Sequence, residues 1–405
     1  MPITDPKYSV VLPTLNGAET LSVTMPAMLR AIERDDVEWL ISDNHSDDNT
    51  AELIADLGDP RVRLVQPPQR LPVSQHLEFA YSQARGEWQG HIGDDDYLFP
   101  SRFTVLDKIQ SQSKALVIRG DFVRYHWSNY PDPNFANMLN QRTYSNNMME
   151  SPGPAMATQS LNDRTMYGGG AWCVHRSIIE QIRQRCGYFS SPQHVEFFAM
   201  RAAMAISPLV ACFALPIYVL GRHEKSSCAQ AQRPRSEVNR HDWDWSFEDP
   251  DPWRYCPFAI KGYSTISFDA AMKVKDVFGD RLPAAQINWL YWIKDVYDDF
   301  NRLIQREQLP PKAIDAFWAG MKHVPRRPYW RWRLSKYPSS EKIVLKLLSK
   351  ARRSLPTSST KEPNLHTNNA TRYFGWPKPI YGETVGIHNI IDVPVWVEKT
   401  YSWFF

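Results

Sequence analysis

Residues 88–97 read W-Q-G-H-I-G-D-D-D-Y, in which three adjacent aspartates follow Gly93. Residues 88–92 are predicted to form a buried strand, the fourth in the chain, so the aspartates follow at its carboxyl end. Adjacent carboxylates repel one another, and Asp94, Asp95 and Asp96 therefore destabilise the fold unless a cation or hydrogen-bond donors compensate them. Oxygen ligands of this kind suit Mg²⁺ or Mn²⁺, which bind through one or two carboxylates together with a diphosphate. A solvated acidic turn or a helix cap is the alternative interpretation.

The preceding residues alternate between strand and helix signals. Apolar runs predict strands at 8–12, 38–42 and 62–65, and helical patterns cover 18–32, 50–57 and 73–84. This alternation predicts a parallel sheet with crossover helices, in which ligands collect beyond the carboxyl ends of the strands. Thr14 and Asn16 follow the first strand, and Asp43 follows the second. We therefore expect these side chains to lie beside the triple aspartate.

The composition excludes several classes of protein. A chain of 405 residues with 43% hydrophobic and 22% charged residues is neither disordered nor fibrous, and its length suggests two or three domains. A net charge of +3 does not single out nucleic acid as a partner, and we expect none.

Cysteine usage and hydropathy predict where the protein works. Five widely spaced cysteines with no C-x-x-C pair favour a reducing compartment over a disulfide framework or a zinc ribbon. The first residues lack a basic segment followed by an apolar one, so no signal peptide is expected. Residues 199–220 are apolar but contain Arg201 and two prolines, which favours a buried helix and strand over a membrane span. We expect a soluble, cytoplasmic protein.

The rest of the chain divides into regions by pattern. Strands are predicted at 172–176 and 212–220, helices up to 185 and at 195–206, and a long substrate-covering loop at 136–170. Further helices are predicted at 264–277, 284–305 and 311–321. We therefore predict an α/β domain at 1–230, a helical accessory domain at 231–355 and an extended C-terminal tail at 356–405.

Four stretches of the first domain occur in a characteristic order and spacing. They are S-V-V-L-P-T-L-N-G-A-E-T-L (9–21), S-D-N-H-S-D-D-N-T (42–50), A-R-G-E-W (84–88) and G-D-D-D-Y-L-F-P (93–100). Together they resemble the successive motifs of family 2 glycosyltransferases of the GT-A fold. The resemblance covers about the first 225 residues. It implies a Rossmann-like, mostly parallel sheet flanked by helices, and inverting transfer of a sugar from a nucleoside diphosphate-sugar.

The resemblance also implies roles for individual residues. Those lining the nucleotide-sugar pocket would be Pro13, Thr14, Asn16 and Glu19, with Asp43 contacting the base and Asp94 and Asp95 contacting the ribose and diphosphate. The metal, Mn²⁺ or Mg²⁺, would be held by Asp94 and Asp96, and it would stabilise the departing nucleoside diphosphate as a Lewis acid. Which of the three aspartates touches the metal stays open.

Inversion needs a general base that deprotonates the acceptor hydroxyl. Residues 191–199, S-P-Q-H-V-E-F-F-A, resemble the family segment S-P-x-P-D-[FY]-[FY]-A, which carries this base just before a helix. Glu196 aligns with the base if one residue is inserted in this chain. Without the insertion, His194 is the nearest titratable side chain. A helix-start residue with no chemical role is the alternative for either.

Residues 221–226, G-R-H-E-K-S, resemble the ending that follows the last strand in many relatives. There a histidine or a basic side chain can reach the metal or the diphosphate. His223 is thus a candidate metal ligand, and Arg222 and Lys225 could neutralise phosphate charge. A structural histidine is the alternative.

Two segments of the second half suggest further contacts. Aromatic side chains alternate with carboxylates at 241–253, a pairing that could hold an acceptor sugar, although packing between domains is the alternative. Residues 322–353 contain eleven lysines or arginines against Glu341, and 329–353 combine a Tyr-Trp-Arg-Trp-Arg run with a basic amphipathic helix. This pattern suits an anionic membrane surface, or a helix packed on its own domain with a solvated basic face.

These features predict a metal-dependent inverting glycosyltransferase that acts on a glycan or lipid-linked acceptor in surface polysaccharide synthesis. Peripheral contact with the inner face of the membrane would then bring the enzyme to its acceptor. A sugar-phosphate nucleotidyltransferase and a non-catalytic carbohydrate-binding protein are the rival hypotheses. The absence of a Gly-rich N-terminal loop with Arg or Lys argues against the nucleotidyltransferase.

Overall fold

The computed structural model describes residues 4–130, 138–141, 145–163, 169–191, 194, 196–226, 255–258, 263–282, 285–305, 313–335, 378–381 and 387–400. Strands lie at β1 Tyr8–Thr14, β2 Val37–Asp43, β3 Val62–Val65, β4 Trp88–His91, β5 Tyr97–Leu98, β6 Val117–His126, β7 Met138–Gln141, β8 Ser145–Pro152, β9 Trp172–His175, β10 Leu209–Arg222 and β11 Lys378–Tyr381. Helices lie at α1 Ala18–Ala31, α2 Thr50–Asp56, α3 Val73–Gln83, α4 Arg102–Gln112, α5 Gly153–Ser160, α6 Arg176–Cys186, α7 Glu196–Ile206, α8 Tyr263–Val277, α9 Trp289–Gln305, α10 Ala313–Met321, α11 Arg326–Ser335 and α12 Asp392–Thr400.

The first four strands form a parallel sheet in the order β3-β2-β1-β4. The chain moves outward from β1 to β3 and then returns to β4 on the other side of β1. All seven residues of β2 are buried, as expected for a parallel strand that is covered by helices on both faces. The order of the strands therefore reverses between β1 and β4, and this is the position at which doubly wound sheets bind ligands.

The other strands make the sheet mixed but keep most of it in one direction. β9 pairs antiparallel with both β4 and β6, which leaves β6 parallel to β4, and β10 runs parallel to β6. Among the described strands, only β5, β7, β8 and β9 run antiparallel to β1. The predicted α/β fold, a mostly parallel sheet flanked by helices with a mainly helical C-terminal region, is confirmed.

Helices α8 to α11 follow the sheet, and α8 packs against α7, α9 against α8, and α10 and α11 against α9. Trp292 on α9 is fully buried, donates from Nε1 to the carbonyl oxygen of Leu161 at 3.0 Å, and stacks on Phe268 of α8 at 5.0 Å between ring centroids. Leu161 directly follows α5 of the first domain. None of the helices in the described ranges is both long and apolar enough to span a bilayer.

Two segments differ from the sequence-based expectation. Residues 145–163, expected to belong to a long loop, form β8 and α5. The polar run of β8 pairs antiparallel with β10, so backbone hydrogen bonds rather than side-chain alternation make it a strand. Within the segment expected to be an extended tail, β11 pairs with β7, and α12 buries Val393 and Val397 completely. The predicted boundaries at 230/231 and 355/356 lie outside the described residues.

Replacing Trp292 by alanine should destabilise the protein by about 3–5 kcal/mol, because it leaves a cavity and an unpaired Leu161 carbonyl between the two regions. The urea midpoint of unfolding should fall accordingly. The matched control is Trp318→Ala, at a side chain 41% exposed, and it should cost no more than about 1 kcal/mol. Equal losses in both variants would contradict the role assigned to Trp292.

Candidate active site

The carboxyl ends of β1 and β4 meet through a hydrogen bond between two predicted site residues. Thr14, at the end of β1, donates from Oγ1 to Oδ2 of Asp94 at 2.7 Å. Gly17 lies against this contact, since a Cβ there would stand 2.2 Å from Thr14 Oγ1 and 2.6 Å from Asp94 Oδ2. Glycine at position 17 therefore allows the first strand to reach the triple aspartate.

The loops after β1 and β2 are tied to each other. Asn16 has a left-handed backbone with φ of 57°. Its N–H donates to Ser46 Oγ at 2.8 Å, and its Oδ1 accepts from the Asp47 N–H at 2.7 Å. The Ser46 N–H in turn donates to Oδ1 of Asp43 at 3.1 Å. Asp43 and Asn16 thus lie on the same edge of the sheet as Thr14, and half-buried Pro13 precedes them on β1.

Asp43 is 1% exposed, and both of its carboxylate oxygens are hydrogen-bonded. Oδ1 accepts from Ser46, and Oδ2 accepts from Nε2 of Gln66 at 2.7 Å. A nucleotide base that binds Asp43 would replace one of these partners. The base-binding role of Asp43 stays a prediction.

The three adjacent aspartates have different surroundings. Asp96 is 5% exposed and accepts two backbone hydrogen bonds, from Gly93 N–H at 2.7 Å and from Gly221 N–H at 2.8 Å. Asp95 accepts from the His223 N–H through Oδ2 at 3.2 Å. Asp96 therefore ties the turn after β4 to the end of β10, whereas Asp94 and Asp95 each keep one oxygen that accepts no hydrogen bond from another described residue.

Burial raises the pKa of all three carboxyl groups. The pKa of Asp96 rises to about 7. The pKa of Asp95 rises well above its ordinary value, because the charges of Asp96 and Asp94 add to the effect of burial. The pKa of Asp94 is also raised by burial, against the hydrogen bond from Thr14 and the nearby His223. This arrangement of carboxyls favours a bound cation.

His223 and Glu19 form the opposite wall of the site. Nε2 of His223 lies 3.2 Å from Oε1 of Glu19 and 2.5 Å from Nδ2 of Asn129. Glu19 is exposed and also lies 3.7 Å from the Lys225 ammonium. The His223 side chain, 3% exposed, is flanked by the Trp127 ring in an edge-on contact. Three segments that are distant in sequence thus converge beside the aspartates.

Glu196 is the first residue of α7 and accepts no hydrogen bond from another described residue. Burial raises its pKa above the ordinary value of 4.5. After the larger effect of burial, its charge adds to the raised pKa of Asp96 and of Tyr218. A carboxylate of raised pKa has the properties of a general base.

His194, the other predicted base, is fully buried. Its Nδ1 lies 2.8 Å from Ser191 Oγ, and its Nε2 lies 2.8 Å from Asp269 Oδ2. Burial lowers the pKa of the ring despite the contact with Asp269. Because both ring nitrogens are engaged away from solvent, the geometry favours Glu196 over His194 as the group that meets an acceptor.

The donor set can be tested against the implied Mg²⁺ or Mn²⁺ ion. Among the described residues no three His, Cys, Asp or Glu side chains converge as a ready-made metal site. The free oxygens of Asp94 and Asp95 fit an ion held by one or two carboxylates and completed by ligand phosphates and water. Asp96 fits this role poorly, since backbone amides already use both of its oxygens. The metal roles predicted for Asp94, Asp96 and His223 stay predictions.

Some residues at the site were not anticipated from the sequence. Trp127 donates from Nε1 to the Asp95 carbonyl oxygen at 3.0 Å, and Asn129 contacts both His223 and Glu19. Both follow β6, whose β-branched and aromatic run at 117–126 is a strand signal that could have located them. Gly221 is also required, because a Cβ there would stand 1.7 Å from the Asp95 carbonyl oxygen. The aromatic segment at 241–253 lies outside the described residues.

Comparison with protein families agrees with this architecture. Residues 9–183 match the sequence model of glycosyl transferase family 2. The matched range begins within β1, ends within α6 and contains the triple aspartate. A comparison with curated proteins gives no match.

Solved structures of glycosyltransferase TarS from S. aureus are similar to this chain. TarS residues 1–349 in complex with UDP-GlcNAc align with 11% identity and a TM-score of 0.46, covering 78% of this chain and 92% of that one. The same fragment in complex with UDP aligns with 13% identity, a TM-score of 0.42 and the same coverage. A mycobacterial protein aligns with 13% identity and a TM-score of 0.32, covering 53% of this chain and 66% of its own.

Stability should depend on pH through His76, which lies beneath the site. Its Nε2 contacts Ser42 Oγ at 2.8 Å, the side chain is 4% exposed, and burial lowers its pKa to about 4. The unfolded chain takes up a proton near pH 6.5 that the folded state resists. The His76 contribution is therefore complete above that pH and is lost as the pH falls towards 4.

On going from pH 7.5 to pH 5, the free energy of unfolding should therefore fall by roughly 2 kcal/mol more in wild type than in His76→Gln. Urea unfolding at the two pH values measures this difference. A difference that does not change with pH would show that His76 is protonated equally in both states.

Proposed function

From an N-terminal region that matches glycosyl transferase family 2, we propose that this chain is an inverting glycosyltransferase. It moves a sugar from a nucleoside diphosphate-sugar to a hydroxyl group of a glycan or lipid-linked acceptor, in the synthesis of a surface polysaccharide. The observation that carries the proposal is the joining of the carboxyl ends of β1 and β4 by the hydrogen bond from Thr14 to Asp94, within the triple aspartate.

The donor binds beyond the carboxyl ends of β1 and β4. Asn16 and Pro13 line the nucleotide side, Asp43 meets the base, and the diphosphate lies towards Asp94 and Asp95. A divalent ion held there by Asp94 and Asp95 would supply Lewis-acid stabilisation of the leaving diphosphate. Asp96 keeps the turn and the end of β10 in place through its two amide contacts.

Glu196 takes the proton of the acceptor hydroxyl. The acceptor oxygen attacks the anomeric carbon from the face opposite the diphosphate, the bond from that carbon to the phosphate oxygen breaks, and the configuration inverts. The raised pKa of Glu196 makes it a stronger base than an exposed glutamate.

The predicted membrane contact through residues 329–353 belongs to the same proposal, because it would bring the enzyme to a lipid-linked acceptor at the cytoplasmic face. Just before this range, the side chains of Lys322, Arg326 and Arg327 are exposed and that of Trp318 is 41% exposed, whereas Trp332 within the range is buried. The exposed side chains suit anionic headgroups and the bilayer interface. Residues 336–353 lie outside the described residues.

Incubating the protein with a panel of UDP- and GDP-sugars, Mn²⁺ and candidate acceptors should release UDP or GDP. Thermal shift should detect donor binding that depends on Mn²⁺, since a ligand bound to the folded state raises its stability. Asp94→Asn should abolish the Mn²⁺-dependent part of the shift. Release of pyrophosphate would instead indicate a nucleotidyltransferase. If no donor of the panel releases UDP or GDP in the presence of acceptors, the result would favour a non-catalytic carbohydrate-binding protein.

Glu196→Gln should lower kcat by about 10²- to 10⁴-fold, because the acceptor hydroxyl loses its proton acceptor. Donor affinity should stay at the wild-type level. In wild type, kcat should fall on the acid side with an apparent pKa above 4.5, the ordinary value for glutamate. Glu180→Gln, at an exposed residue of α6, is the matched control and should retain activity. Wild-type turnover by Glu196→Gln would end its candidacy as the base.

A further inference from the structure

Side chains from two separate segments form a chain of hydrogen bonds behind Glu196. Ser191 Oγ lies 2.8 Å from His194 Nδ1, and His194 Nε2 lies 2.8 Å from Asp269 Oδ2. Lys273 donates from Nζ to Ser191 Oγ at 3.2 Å. Ser191 and His194 precede α7, whereas Asp269 and Lys273 lie one turn apart on α8. Helix α8 therefore holds the segment before α7 at two points.

The composition of this group is that of a Ser–His–Asp triad, but its burial excludes nucleophilic catalysis. Ser191 and His194 are 0% exposed, and Asp269 is 1% exposed. The ring is also reversed relative to the hydrolytic arrangement, in which serine contacts Nε2 and the carboxylate contacts Nδ1. No substrate can reach the Ser191 hydroxyl, so the group acts by holding the chain in place.

Each hydrogen bond of the group has one consistent direction. A carboxylate only accepts, so His194 carries its proton on Nε2 and donates to Asp269. Nδ1 of the neutral ring then accepts from the Ser191 hydroxyl, whose oxygen accepts from Lys273. The second oxygen of Asp269 accepts from the N–H groups of Tyr255 and Cys256 at 2.9 and 2.6 Å. A buried network with a single direction fixes the positions of its members.

The same histidine starts the turn that carries Glu196. The carbonyl oxygen of His194 accepts from the Phe197 N–H at 2.9 Å, and its N–H donates to the Ser191 carbonyl at 3.1 Å. Glu196 itself accepts no hydrogen bond from another described residue. The position of its carboxylate therefore depends on the position of the backbone at the start of α7.

We propose that Asp269 is a positioning residue that, through His194, fixes the start of α7 and so aligns Glu196 with the acceptor hydroxyl. This inference rests on the proposed role of Glu196 as the base. It gives the helical accessory region a part in the reaction without contact with the substrate.

Asp269→Asn tests the proposal in the full chain. The amide would present an N–H to Nε2, which forces the ring to carry its proton on Nδ1 and leaves the Ser191 hydroxyl proton without its acceptor. Because a misplacement of about 1 Å can cost ~10²-fold in rate, kcat should fall about 10- to 100-fold. The donor KM should change by less than about twofold, since the donor side of the site is untouched.

Asp299→Asn is the matched control. Asp299 is a buried carboxylate on α9 that accepts from N–H and Oγ of Ser264, at the start of α8, and its described contacts do not include residues 191–196. Its kcat should stay within about twofold of wild type even if the variant melts earlier. Hydrogen exchange followed by mass spectrometry should show faster exchange in the peptide 191–200 for Asp269→Asn and not for Asp299→Asn.

A double-mutant cycle with Glu196→Gln separates positioning from a general loss of folding. If Asp269 acts through Glu196, Asp269→Asn should cause almost no further loss of kcat in the Glu196→Gln background. Equal loss in both backgrounds, or equal kcat for Asp269→Asn and Asp299→Asn, would overturn the proposal. If Asp269→Asn does not fold, Ser191→Ala takes its place. This variant removes the hydroxyl at the other end of the hydrogen-bond series and leaves the contact between His194 and Asp269.

The proposed function can fail independently of this inference. Wild-type protein that releases no nucleoside diphosphate from any donor would end the glycosyltransferase proposal. The exchange rates of residues 191–200 would then still decide whether Asp269 holds the start of α7, and unchanged exchange in Asp269→Asn would overturn that as well.

Discussion

Three carboxylates at the end of a buried strand place a constraint on everything around them. Ionised side chains as close as Asp94, Asp95 and Asp96 repel one another, and burial raises the pKa of each. The fold compensates only part of this cost, through the Thr14 hydroxyl and the amides of residues 93, 221 and 223. The remaining negative charge favours a bound cation.

The compensation also explains how distant segments are brought together. Asp96 joins the turn after β4 to the end of β10, and Asp95 contacts the His223 amide on the same stretch. Glycines occur where a side chain would break these contacts, at positions 17 and 221. The turn after β4 is therefore held by a residue about 125 positions away in sequence. The helical region contacts His194, which precedes α7, through Asp269.

Much of the first domain could be predicted from local patterns. The strand at 62–65 has the predicted bounds, and the first two strands extend the predicted runs by one or two residues to Thr14 and Asp43. β8 could not be predicted in this way, because its residues are mostly polar and form a strand only through their pairing with β10. The different surroundings of the three aspartates could not be predicted either, because they depend on which distant amides donate to each carboxylate. His194 appeared a candidate base until its contact with Asp269 placed it in the core.

Local sequence patterns are enough to predict the alternation of strands and helices, the family resemblance and the clustering of acidic and polar residues at strand ends. These are consequences of hydrophobic periodicity and of short motifs, which depend on neighbours along the chain. Only the three-dimensional contacts show that Asp96 accepts from two backbone amides, that Asp94 and Asp95 each keep one oxygen without a hydrogen bond from another described residue, and that His194 contacts Asp269 in the core. Those outcomes depend on burial and on hydrogen bonds between residues far apart in sequence, which no local pattern encodes.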